Sequence, residues 1–209
     1  MSNQIHSVTT VILAGGQGSR IGGDKGLQNL HGKPLIGWVM DAVKFDSTAL
    51  LINARDPHGE YQQFGCPVVG DLMPDWPGPL AGLHAALVNS RTEYVMTVPC
   101  DTPFLPETLL ARLLASQSAH ASEVVVAVVC GQRQPTIALY QLNVLPKLLA
   151  YLATGKRKVG DWLECLQLSE VVFDNVEEFE NINTLDDLAR VQQSPLGLDR
   201  MLLIRSKKT

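Results

Sequence analysis

Apolar residues fall into two alternating patterns along the chain. Short runs rich in β-branched residues occur at 9–13, 49–53, 67–69, 94–99, 123–129, 136–140 and 171–173, several of them apolar on both faces. Their length and composition predict strands, and strands apolar on both faces predict a sheet covered on both sides. Between them, residues 34–43, 80–89, 106–116, 143–153 and 184–193 carry apolar positions near three-and-four spacing, with proline near several of the starts, and predict helices. Strands alternating with helices give an α/β fold, a mostly parallel sheet with helices on both faces. The run at 136–140 follows 123–129 across a turn at 131–135 and predicts a hairpin at one end of the sheet.

In such a sheet a ligand sits beyond the carboxyl ends of the strands, so polar residues directly after strands carry the most weight. Four places qualify: the loop after the first strand, Asn53 after the second, Asp71 after Val68, Val69 and Gly70, and Asp101 after the run ending at Cys100. Parallel neighbours would bring all four to one rim.

The loop is the most informative of these. Residues 13–26 contain six glycines, together with Arg20 and Lys25, straight after a buried-strand pattern. Glycine is entropically costly in a folded chain, and its density here points to backbone N–H groups approached by phosphate oxygens. The stretch is not a Walker A loop, since Gly23-Asp24-Lys25-Gly26 offers no hydroxyl after the lysine. Nor is it a dinucleotide fingerprint, since Ile21 stands where the third glycine belongs and the second strand ends on Asn53 rather than an acid.

Composition narrows the partners. The chain has 209 residues, 45% hydrophobic and 18% charged, and reads as one domain over 1–193 followed by a mobile, basic tail at 194–209. A net charge of −4 speaks against binding nucleic acid or a membrane surface by bulk electrostatics. The four cysteines have no metal-ligand spacing and are expected as buried free thiols. Without a signal-peptide pattern or a run long enough to span a bilayer, the expected location is cytoplasmic.

Asp101 suits magnesium, which takes one or two protein carboxylates and completes its shell with water and phosphate; the plainer alternative is a cap for the helix near Pro106 or a local bond to the Thr102-Pro103 turn. Arg20 and Lys25 suit phosphates and the charge developing on departing pyrophosphate. Asp24 suits either a ligand contact or a salt bridge that positions a neighbour. Asn53 and Asp71 suit a base or ribose, a carboxylate being matched to the N1–H and N2–H donors of guanine, or else simple turn formation. Residues 74–82 form a proline-stiffened loop in which Gly78 and Gly82 allow close approach. Asn181 and Asn183 lie on one side of an extended segment and suit a second substrate, unless Asn183 or Thr184 merely caps the next helix. His84 reads as packed.

Leu13-Ala14-Gly15-Gly16, Arg20, Asp24-Lys25-Gly26, Gly32-Lys33-Pro34-Leu35, Asp71, Pro77-Gly78-Pro79-Leu80-Ala81-Gly82, Pro99-Cys100-Asp101-Thr102-Pro103 and Asn181-Ile182-Asn183-Thr184 together resemble the molybdenum cofactor guanylyltransferases. Sugar-phosphate relatives usually show proline before the lysine, where this chain has Asp24. The resemblance implies a Rossmann-like nucleotidyltransferase fold that binds GTP and Mg2+ and transfers GMP to molybdenum-bearing molybdopterin. It implies GTP contacts from Leu13, Ala14, Gly15, Gly16, Lys25, Asn53, Asp71, Gly82 and Asp101, with Arg20, Lys25 and Asp101 catalytic and Asp101 the metal ligand. Asn181 and Asn183 would face the pterin. It also implies transient contact with other cofactor-biosynthesis proteins and acceptor molybdoenzymes. CTP in place of GTP, a sugar phosphate in place of the pterin, and a non-catalytic carrier are the remaining alternatives.

Overall fold

Side chains of the first strand, β1 (Val8–Leu13), alternate between two apolar layers, Val8 and Ile12 entering one and Val11 and Leu13 the other. A computed structural model describes residues 7–15, 24–44, 47–73 and 78–193. After β1 come a two-stranded hairpin, β2 (Asn29–Leu30) and β3 (Lys33–Pro34), then α1 (Leu35–Val43), β4 (Ala49–Asn53) and β5 (Val68–Val69). The chain continues through α2 (Pro79–Asn89), β6 (Tyr94–Pro99), α3 (Leu109–His120), β7 (Val124–Val129), β8 (Gln132–Gln141), α4 (Leu145–Ala153), α5 (Val159–Leu163), β9 (Leu168–Phe173) and α6 (Leu185–Gln192).

Seven strands form one sheet in the order β5-β4-β1-β6-β8-β7-β9, parallel except for β8, which runs against both neighbours. Both faces are covered, as the doubly apolar strands require. Tyr94, Met96 and Val98 of β6 join Val125 and Ala127 of β7 in a layer closed by α1 and α3. Val95, Val124 and Val126 point the other way, into a layer closed by α2, α4 and α5 through residues such as Leu83, Leu148 and Trp162. Each aliphatic side chain so buried contributes about 1.5–3 kcal/mol. A third, smaller cluster joins Leu30, Leu35, Trp38 and Phe104 to Ile182, Leu188 and Val191. It docks α6, and the segment before it, beside the end of β6.

Several sequence-based boundaries shift, each for an identifiable reason. Pro106 lies in a separate turn, closed by Leu109 N–H donating to its carbonyl at 3.0 Å, so α3 starts at Leu109. The helix runs past the last apolar position because Gln117 is buried, accepting a 2.9 Å bond from the Tyr94 hydroxyl. The expected hairpin exists, but β8 lies inside the sheet with β9 beyond it, and its turn is the pair Cys130 and Gly131, both at positive φ (48° and 71°). Residues 132–135 belong to β8. Its pairing with β7 slips between Val126 and Val128, a bulge that accommodates Pro135 within a strand. The short helix α5 has no counterpart in the expected elements. The cysteines are free, but Cys130 and Cys165 are exposed, which corrects the expectation of four buried thiols. Among the described residues no helix is long and apolar enough to cross a membrane.

Candidate active site

The chain runs outward from β1 to β4 and β5, then returns to place β6 on the other side of β1. Strand order therefore reverses between β1 and β6, where a crevice at the carboxyl ends is expected. A cavity of about 850 Å3 opens there, lined by Leu13, Ala14 and Gly15 from the end of β1, Asn53 and Asp71 from the ends of β4 and β5, Gly82 from α2, and Lys25 and Asp101. All four post-strand positions anticipated from sequence thus share one rim.

Asn53 is a strand residue rather than a turn former. It pairs with Leu13 on one side and Val69 on the other, and it is 2% exposed. Its Nδ2 donates to Asp71 Oδ1 at 3.0 Å and to the Val69 carbonyl at 3.3 Å, which fixes the amide and orients the exposed carboxylate. Gly82 is what permits this. A Cβ there would lie 2.7 Å from Asn53 Oδ1 and 3.0 Å from Leu13 Cδ2, so the close approach at Gly82 is to Asn53. Gly78, at φ 120°, starts α2 in a conformation that favours glycine.

On the other side of the crevice, Lys25 sits in a single turn, Lys25–Leu27, and its Nζ donates to Asp101 Oδ2 at 3.0 Å and to Asn183 Oδ1 at 2.5 Å. Asp101 follows β6, and the N-cap position of α3 is Thr108 with no side-chain cap, so Asp101 is not the cap. Its carbonyl accepts from Ile182 N–H at 2.9 Å, and the adjacent Thr102 hydroxyl donates to Asn181 Oδ1 at 2.6 Å. The segment holding both asparagines is therefore stitched to the end of β6.

Capping and side-chain roles coexist at this segment. Thr184 is the N-cap of α6: its Oγ1 accepts from Asp187 N–H at 3.0 Å, while Asp187 Oδ2 accepts from the N–H groups of Thr184 (3.0 Å) and Asn183 (3.1 Å). The backbone of Asn183 is thus held and its side chain is left to meet Lys25. Hydrogen bonding, first with Thr184, outweighs desolvation and holds the Asp187 carboxyl below the usual carboxylate range. Burial, then the nearby Asp101 charge, pushes the Cys100 thiol well up, so it is not an activated nucleophile. His84 is packed at 5% exposure, and burial lowers its pKa.

Gly16, Arg20, the loop 74–77 and the tail 194–209 lie outside the described residues. Arg55, Met73 and Thr136 also line the cavity and were not anticipated. Only Thr136 had a signal, the Pro135 just before its strand-like run: with β8 beginning at Gln132 that proline lies inside a strand and marks a bulge, and bulges re-aim side chains. Arg55 and Met73 sit in loops without periodicity.

Residues 10–171 match the family described as the MobA-like NTP transferase domain, which makes the chain a nucleotidyltransferase. A molybdenum cofactor guanylyltransferase from Cupriavidus taiwanensis is 44% identical over 187 residues, covering 87% of this chain and 94% of that one. Another from Vibrio cholerae is 43% identical over 182 residues, covering 86% and 89%. The chain belongs to the molybdenum cofactor guanylyltransferase family. The crystal structure of molybdopterin-guanine dinucleotide biosynthesis protein A from Archaeoglobus fulgidus is similar over 87% of this chain and 95% of that one, with a TM-score of 0.71 at 27% identity.

Proposed function

We propose that the chain transfers GMP from GTP to the terminal phosphate of molybdenum-bearing molybdopterin, forming molybdopterin guanine dinucleotide cofactor and releasing pyrophosphate. The observation that carries this reading is one cavity lined both by the Asn53 and Asp71 pair and by the Lys25 and Asp101 pair. The first suits a guanine edge: Asn53 orients the Asp71 carboxylate, which accepts from N1–H and N2–H. The second suits phosphates. Lys25 balances their charge and the Leu13 to Gly15 backbone lies against them; the same roles are assigned to Arg20 and Gly16 from the sequence alone, since both lie outside the described residues.

Asp101 is the residue that would hold magnesium. The donor set fits, because the Asp101 carboxylate lines the cavity beside Lys25, and magnesium on a polyphosphate needs only one or two protein carboxylates. When bound, the ion supplies charge neutralisation and polarisation of the phosphates. A phosphate oxygen of the pterin attacks the α-phosphorus, the bond to the α,β-bridging oxygen breaks, and its electron pair leaves with pyrophosphate. The attacking group is already an anion, so the protein's task is positioning and charge rather than proton transfer. Asn181 and Asn183 hold the acceptor side.

The test is pyrophosphate release from GTP, ATP, CTP and UTP, with magnesium, with and without a molybdopterin source. Pterin-dependent release from GTP is expected. Release from CTP instead would move the assignment to cytidylyl transfer, and GTP binding without release would make the chain a carrier.

A further inference from the structure

We propose that Tyr61 is a positioning residue for Lys25, fixing from beneath the turn that carries the ammonium group. The proposal rests on Lys25 acting as a phosphate ligand. Tyr61 lies in the turn Glu60–Phe64, between β4 and β5, and is 2% exposed. A Cβ on Gly26 would stand 2.7 Å from the phenol oxygen and 3.2 Å from Cε1, so the ring end lies directly against the backbone that follows Lys25. The residue before Lys25 faces it as well: burial first, and the Asp24 carboxylate beside it, push the phenol well above its ordinary value.

The hydroxyl makes no hydrogen bond of good geometry among the described residues, although the Asp24 side chain and the Gly26 backbone both face it. A buried, unpartnered hydroxyl costs stability, and phenylalanine would fill the same space without that cost. Its place between Asp24 and Gly26 supplies a use. The turn is gripped on its inner side by a neutral phenol and on its outer side through Lys25, Asp101 and Asn183, so the ammonium is held rather than free to range. Tyr61 itself does not line the cavity.

The experiment is Tyr61→Phe in the full chain, with calorimetric affinities for GTP, NMR affinities for guanosine, and thermal unfolding. The expected result is GTP binding weakened about fivefold or more, guanosine binding unchanged, and a melting temperature equal to or above that of the parent. GTP affinity within about twofold of the parent overturns the proposal. So does an equal loss for guanosine, because the effect would then not pass through the phosphates, and so does a GTP loss that comes with a lowered melting temperature. Failure of the functional reading is distinguishable, because it appears in the parent chain as absent pyrophosphate release.

Discussion

The Lys25 ammonium stands 3.0 Å from the Asp101 carboxylate, two part-buried groups separated by 76 residues of sequence. One is assigned to the phosphates and the other to the metal, so the site's opposite charges balance at its centre. Replacing Asp101 by alanine removes the carboxylate without opening the core, because Lys25 keeps Asn183. Transfer should fall by about a hundredfold or more at saturating magnesium, with the melting temperature little changed. Near-normal turnover would remove Asp101 from the metal role.

Gly82→Ala probes the nucleotide side. Helix propensity alone favours alanine by about 1 kcal/mol. Against that, the added methyl would meet Asn53 Oδ1 at 2.7 Å, so Asn53 must turn and its bond to Asp71 is lost. Overpacking of this kind costs about 1–3 kcal/mol. The variant should be less stable than the parent and should discriminate less between GTP and ATP as competing ligands. Unchanged discrimination would mean that the Asn53 and Asp71 pair does not read the base.

Thr102→Val separates the two substrates. Thr102 is wholly buried, and its hydroxyl is what holds Asn181. Without it, KM for the pterin should rise several-fold while KM for GTP stays put. Equal rises in both would place Asn181 in general upkeep of the site.

Acid should loosen the same segment through Asp187. Its folded pKa is depressed, chiefly by hydrogen bonding with Thr184, so the stabilisation is complete above its unfolded value of about 3.9 and is lost as pH falls through the lower folded value. Asp187→Asn should be less stable than the parent at pH 7, with the gap narrowing progressively as pH falls below about 3.9. Denaturant midpoints across that range check this, and a gap independent of pH would exclude the linkage. Thr184→Ala, which removes the cap, should cost about 1 kcal/mol.

Strand positions were legible because strands buried on both faces leave uninterrupted apolar runs; the runs at 49–53 and 94–99 match β4 and β6 at both ends. Asn53, Asp71 and Asp101 were legible because they end or follow such runs. What pairs with what was not. Nothing periodic links Lys25 to Asn183, or Thr102 to Asn181, since those contacts arise from the small cluster around Trp38 and Ile182 that docks α6. Gln117 hid the end of α3, because a buried polar residue with a partner looks solvent-facing in sequence. Thr136 was hidden by a register slip that leaves only Pro135 as its mark.

The bond from Lys25 to Asn183 spans 158 residues. A chain emerging from the ribosome can complete β1, β4, β5 and β6, and with them the walls assigned to the nucleotide, well before α6 exists. On the proposed assignment of Asn181 and Asn183, the acceptor wall arrives last, and a partly synthesised chain has a place for the donor and none for its acceptor. On that assignment, premature termination before α6 should yield chains that bind the nucleotide but cannot carry out transfer.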